Sequence, residues 1–146
     1  MGDSADGNIL GLYCAICTNP AYASHYPFQV PHGFVPQAVT LNFENYVVEI
    51  TQPSPDNQTL ALMADYLPGQ RTKEEMELIN VTAHFTEKFP PVFLMTASGD
   101  FLKEEALLMA SALTRHKVPF LYRFYGNSQK LLIHVFHCDM RSEDRK

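Results

Sequence analysis

The chain has 146 residues, of which 46% are hydrophobic and 18% are charged, and its formal net charge is -5. This balance predicts one globular domain over residues 1–146, and the lack of a basic cluster argues against nucleic acid as a partner. No stretch approaches the roughly 20 apolar residues that span a bilayer, and no secretion signal is evident, so we expect a cytoplasmic protein without a membrane span.

A run of small residues surrounds Ser4 near the start of the chain. In the G-x-S-x-G turn, a serine lies at a strained connection from a strand to a helix, with its hydroxyl exposed above the sheet. Gly2 and Ser4 fit this pattern, but Asp6 takes the second glycine position and Gly7 follows one place late. Since such runs are also common in turns and helix caps, the motif alone leaves open a nucleophile and a plain cap.

The segment after Ser4 is predicted to form an amphipathic helix that ends near residues 18–20, before Pro20. Apolar residues recur there at spacings of three and four, which is typical of one face of a helix. This predicted stripe consists of Ile9, Leu10, Tyr13, Ile16 and Cys17.

Cys14 and Cys17 form a C-x-x-C, a spacing that invites redox or zinc chemistry. His134, His137 and Cys138 can be imagined as further ligands. The two helical cysteines fall inside the predicted helix and not at its N-terminus, where a thiolate would be stabilised. Buried cysteine commonly behaves as a small hydrophobe, so the sequence predicts neither a metal site nor a cofactor.

The middle of the chain alternates between clear and unclear patterns. Residues 37–43 read as a short buried strand, and residues 44–77 are predicted to be an irregular insertion or a cap-like segment over the sheet. Thr72 and Glu75 match a capping box, so a helix begins there. Poor helix formers at residues 80–82 leave open whether that helix continues to Phe89.

The sequence pattern of the second half of the chain predicts two strands with a helix between them. Residues 92–97 are a continuous apolar run, as expected for a strand buried on both faces of a parallel sheet. Asp100 follows this strand, at the end where catalytic groups of parallel sheets gather. Residues 102–116 predict a helix and residues 119–125 a third strand, after which a loop leads to His134. The sequence therefore predicts an α/β fold with about three parallel strands and flanking helices.

Three stretches together resemble the α/β-hydrolase fold, and more narrowly its acetyl-esterase and hormone-sensitive-lipase-like branch. They are residues 2–8 around Ser4, residues 89–102 ending in D-F-L, and residues 134–137 with the sequence H-V-F-H. Their order of serine, aspartate and histidine is the one that this fold uses. The resemblance therefore implies a partial α/β-hydrolase fold and a carboxylic-ester hydrolase that acts on small acyl esters.

The resemblance also implies a role for each candidate residue. Ser4 would be the nucleophile, His134 the general base, and Asp100 the carboxylate that orients the imidazole. The backbone N–H of Ala5 would stabilise the oxyanion. His137 could compete for the role of base, but the resemblance favours the first histidine of the H-V-F-H stretch.

The sequence departs from the resemblance in three places. Asp6 and Ile133 stand where the family has glycine, and a side chain at Asp6 could crowd the helix against the strand or place a charge beside the oxyanion. The family's N-terminal strands and Gly-rich loop have no counterpart before Ser4, so the chain looks like a truncated, C-terminal part of a hydrolase. An inactive remnant or binding module therefore stays open, as does a half-protein that needs an N-terminal partner. The strand at residues 38–43 should leave an unpaired edge that favours self-association.

Overall fold

The computed structural model describes residues 1–42 and 72–139. A four-stranded sheet lies at its centre, with its strands in the order of the sequence and all parallel. This confirms the predicted α/β class and the three predicted strands, and adds a two-residue strand before Ser4. The strands are β1 (Gly2–Asp3), β2 (Val39–Asn42), β3 (Val92–Ala97) and β4 (Phe120–Tyr125). The helices are α1 (Ala5–Thr18), α2 (Pro20–Ala23), α3 (Lys73–Leu78) and α4 (Glu105–Arg115), with 3-10 turns at Val81–His84 and Phe136–Cys138.

Strand β3 is buried on both faces, as its continuous apolar sequence predicts. Val92 and Leu94 face the main core, whereas Met95 and Ala97 face a smaller cluster on the other side. In the parallel register, Leu94 lies between Leu41 of β2 and Tyr122 of β4. The carboxyl ends of the strands therefore lie at the same end of the sheet, where the candidate site residues lie.

The prediction that the edge of β2 is unpaired is wrong for half of that strand. Gly2 pairs with Leu41 and Asp3 pairs with Asn42 in parallel register. The N–H of Ser4 extends this pairing by donating to the Asn42 carbonyl at 3.0 Å. Two residues of β1 are therefore enough to cover the part of β2 that lies next to the site.

Helix α1 begins and ends as predicted, but it buries a different face. Ile16 of the predicted stripe is buried, whereas Ile9 is 53% exposed. The helix instead turns small residues inward, and a Cβ atom added at Gly11 would lie 2.8 Å from Val81 Cγ1. Close approach of the backbone decides this face, which a count of apolar residues does not detect. The buried residues are Gly7, Asn8, Gly11, Leu12, Cys14, Ala15, Ile16 and Thr18.

The predicted capping box at the start of α3 is confirmed. Glu75 N–H donates to Thr72 Oγ1, and Thr72 N–H donates to the Glu75 carboxylate. The helix ends at Leu78 and does not continue to Phe89. Residues 44–71 of the predicted insertion lie outside the described residues, and Met76 within its last part packs in the main core. In the described part of the chain, no helix is both long and apolar enough to cross a membrane.

Self-association stays a prediction, and β4 offers a second edge for it. Among residues 1–42 and 72–139 this strand is the last of the sheet, and it exposes large apolar side chains, among them Leu121 at 48% and Phe124 at 50%. Because a lysine on an edge strand opposes pairing with another chain, Leu121→Lys should reduce association measured by sedimentation velocity. Leu107→Lys, on the exposed face of α4, is the matched control. A monomer at high concentration in the unmodified chain would contradict the prediction.

The pH dependence of stability should report the burial of Cys14. Burial, with a smaller effect of the nearby Cys17, raises the pKa of the Cys14 thiol to about 12. The folded chain therefore keeps a proton that the unfolded chain loses above its ordinary pKa of about 8.5, so the free energy of unfolding falls as pH rises through that window. We expect a steeper loss between about pH 8 and about pH 10 in the unmodified chain than in Cys14→Ala, measured by urea unfolding. Parallel pH profiles would contradict this assignment.

Candidate functional site

Ser4 occupies a strained turn between β1 and α1. Its φ of 56° and ψ of -129° lie in a region that residues other than glycine rarely adopt. The backbone is held there from both sides, because Ser4 N–H donates to Asn42 O and Ser4 O accepts from Gly7 N–H, each at 3.0 Å. Strain of this kind persists only where the surroundings fix it, and it is concentrated at functional sites.

A contact between two glycines lets this turn form. A Cβ atom added at Gly2 would lie 2.6 Å from the Asp6 carbonyl oxygen and 2.7 Å from Gly7 Cα, so strand and helix touch backbone to backbone. Gly7 is buried against the strand, whereas Asp6 is exposed. The expected crowding by Asp6 is therefore wrong, since Gly7 provides the close approach.

The structure brings Ser4, Asp100 and His134 together in one chain of hydrogen bonds. His134 Nδ1 lies 2.8 Å from Asp100 Oδ1, and His134 Nε2 lies 3.2 Å from Ser4 Oγ. Because an ionised carboxylate only accepts, the ring donates from Nδ1, and Nε2 of a neutral imidazole is left to accept from the serine hydroxyl.

Asp100 is buried and held by several donors. It is 2% exposed, and its Oδ2 accepts from Thr96 Oγ1 at 2.9 Å. Its Oδ1 accepts from Leu102 N–H at 3.1 Å as well as from His134. These donors fix the carboxylate at the end of β3, so the imidazole meets an acceptor of defined orientation.

The loop that carries His134 is attached to the turn after β3. Gly99 and Ile133 form a parallel bridge, and Gly99 N–H donates to the Leu132 carbonyl at 2.9 Å. The Phe101 ring packs 4.8 Å from the His134 ring, measured between centroids. Ile133, which replaces the expected glycine, is 69% exposed, so its side chain is accommodated at the surface.

A second link joins the same two segments of the chain. His137 Nε2 lies 3.0 Å from Asp3 Oδ1, which also accepts from Asn42 Nδ2 at 2.7 Å. The His137 ring therefore contacts the Asp3 carboxylate. No local pattern in the sequence singles out Asp3 and Asn42 as neighbours, because only the parallel pairing of β1 and β2 brings them side by side.

The described residues hold one group with the donors of a metal site, made of Asp3, His137 and Cys138. Cys138 is exposed, and partial desolvation of its thiol, followed by the charge of Asp3, raises the pKa of this thiol. Cys14 and Cys17 of the C-x-x-C are free thiols and belong to no such group in residues 1–42 and 72–139.

Known structures share this architecture. Esterase B from Lactobacillus rhamnosis matches with a TM-score of 0.75 at 19% identity, over 93% of this chain and 44% of the esterase. A thermophilic esterase from Thermogutta terrifontis matches with a TM-score of 0.61 at 14% identity, over 98% of this chain and 47% of its own. No protein-family model and no curated protein sequence matches the chain.

The chain has part of the α/β-hydrolase fold. An acetyl ester-xyloside bifunctional hydrolase from Caldicellulosiruptor lactoaceticus also matches, with a TM-score of 0.64 at 19% identity, over 91% of this chain and 46% of the hydrolase. The chain spans less than half the length of each of these three proteins. At these identities the likeness shows the fold, and the chemistry of the chain depends on the residues of the site itself.

The glycine contact below the Ser4 turn has a measurable consequence. In Gly2→Ala the new methyl group meets backbone atoms of α1, which cannot rotate away as a side chain can. We expect a loss of about 1–3 kcal/mol in the free energy of unfolding, measured by urea titration. Ser111→Ala, on the exposed face of α4, is the control and should change stability by less than about 0.5 kcal/mol. Equal stabilities of Gly2→Ala and the control would show that strand and helix are not in contact.

Proposed function

We propose that the chain carries the reaction centre of a carboxylic-ester hydrolase that acts on small acyl esters. Ser4 is the nucleophile, His134 the general base and Asp100 the group that orients the base. The observation that supports this proposal is the hydrogen-bond chain from Ser4 Oγ through His134 to Asp100, at 3.2 and 2.8 Å. The esterase fold of the neighbouring structures agrees with it.

The proposed reaction has two halves. Ser4 Oγ attacks the ester carbonyl carbon while His134 Nε2 takes the hydroxyl proton, and that proton then passes to the leaving alcohol. Asp100 stabilises the imidazolium that forms in between and keeps the ring in the tautomer that can accept. A water molecule, deprotonated by His134 in the same way, then attacks the acyl-serine, and His134 returns the proton to Ser4 Oγ as the acid leaves.

The N-terminus of α1 supplies the proposed oxyanion donor. Ala5 is the first residue of this helix, so its N–H has no acceptor within the helix. The helix dipole adds a partial positive charge at the same end. A tetrahedral oxyanion formed on Ser4 would therefore meet a donor that needs no rearrangement, which is the arrangement that lowers such barriers most.

A second candidate is a domain that keeps the arrangement of this site but does not turn over esters by itself. The chain spans under half the length of the esterases that it resembles, and removal of a single oxyanion donor costs on the order of 2.7–4 kcal/mol. An inactive remnant, a binding module and a half-protein that works with an N-terminal partner all belong to this candidate. Comparison of covalent labelling with ester turnover separates it from a complete enzyme, since labelling needs the activated serine but no complete turnover.

Two measurements on the purified chain test the proposal. A fluorophosphonate probe should modify Ser4, with loss of fluoride, and peptide mass spectrometry should locate the adduct. Hydrolysis of a short-chain chromogenic ester should fall about a thousandfold or more in Ser4→Ala and in His134→Ala, and by about ten thousandfold in Asp100→Asn, because the three residues act as a unit.

Matched controls are available on the same chain. Ser111→Ala and His32→Gln change exposed residues of the same types and should retain both labelling and turnover. Labelling without turnover would favour the second candidate. The absence of labelling at Ser4 in folded protein would contradict the proposed nucleophile.

A further inference from the structure

Three different metal-binding side chains converge next to the Ser4 turn. His137 Nε2 lies 3.0 Å from Asp3 Oδ1 and 3.5 Å from Cys138 Sγ, and the three ligand atoms all lie within 4.8 Å of one another. Bond lengths of about 2.0–2.3 Å in a tetrahedral zinc site place its ligand atoms about 3.3–3.7 Å apart. Two of the contacts are thus within a few tenths of an ångström of that geometry, and the third has to close by about 1.3 Å at most.

The chemistry of the donors selects the metal. Mg²⁺ and Ca²⁺ prefer sites made of oxygen atoms, whereas a set of one imidazole, one thiolate and one carboxylate suits Zn²⁺. We propose that Asp3, His137 and Cys138 bind one Zn²⁺ ion, with the fourth position left to a water molecule. This assignment goes beyond the proposed hydrolase reaction, which uses none of the three side chains.

The surroundings are arranged as around a metal ligand. Asn42 Nδ2 donates to Asp3 Oδ1 at 2.7 Å and so orients the carboxylate, the role that outer partners have in metal sites. The side chains of Asp3 and His137 are 22% and 21% exposed, whereas Cys138 is exposed and leaves an open path from solvent. Asp3 is fixed by the sheet and Cys138 ends a short 3-10 turn, so closure needs movement on one side only.

Binding releases the Cys138 thiol proton, because the ion takes its place on the sulfur, and a neutral His137 moves its ring proton from Nε2 to Nδ1. The ligands then become a thiolate, a neutral imidazole bound through Nε2 and a carboxylate. Affinity should therefore fall as the solution is acidified. The ion would be bound by Asp3, which directly precedes Ser4, and by His137 and Cys138 in the 3-10 turn that follows His134.

Metal binding can be measured without reference to hydrolysis. Protein freed of metal by chelation and desalting is titrated with Zn²⁺ by calorimetry, and with Co²⁺ by absorption spectroscopy. We expect one ion per chain and, with Co²⁺, the near-ultraviolet charge-transfer band of a thiolate ligand. Cys138→Ser should lose this band and bind Zn²⁺ at least about tenfold more weakly. His137→Gln should weaken binding to a similar degree.

The chain provides a matched control, since it has three cysteines and Cys14 is buried. Cys17→Ser should keep the band and the affinity. Because Cys138 is exposed, Cys138→Ser should fold normally, which far-ultraviolet circular dichroism checks. The proposal is overturned if the unmodified chain binds no Zn²⁺, if Cys138→Ser binds it as tightly, or if the band disappears in Cys17→Ser. None of these outcomes depends on whether the chain hydrolyses esters.

Discussion

The backbone contact between Gly2 of β1 and Gly7 of α1 is the constraint on which the rest of the site depends. Without a Cβ atom at Gly2, the helix can turn back directly over the strand that precedes it. That sharp reversal forces Ser4 into its positive φ and sets its side chain at the end of the sheet. The small residues that follow in α1 continue the same close packing, so the turn is supported along the helix and not only at its start.

Parallel pairing then brings the other residues of the site to the same end of the sheet. β1, β2 and β3 run side by side, and Ser4 and Asp100 both follow the carboxyl ends of their strands. His134 reaches them from the loop after β4, which is attached to the turn after β3 through Gly99. Since Asp100 is buried and held by Thr96, the position of the imidazole is set by a rigid part of the sheet. The proposed proton transfer from Ser4 to His134 would require this preorganisation.

Two links hold the first residues of the chain to the last described ones. The first runs from Ser4 to His134, and the second runs from Asp3 to His137. Both links join the same two segments, and the residues of one link are close in sequence to those of the other. The chemistry proposed for Ser4 and the zinc binding proposed for Cys138 are thus physically adjacent, although they use different side chains.

Features that depend on local pattern could be predicted from neighbouring residues. The apolar run of β3, the capping box at Thr72 and the placement of Asp100 after a strand follow from neighbouring residues, and these were predictable. Tertiary structure decided the features that depend on contact between distant segments. These are the face that α1 buries, the role of Gly7 in place of Asp6, the pairing that covers the end of β2, and the group of Asp3, His137 and Cys138. Hydrophobic periodicity records which side chains avoid water, but it does not record how closely two backbones approach, and that distance is set only when the helix packs on the sheet.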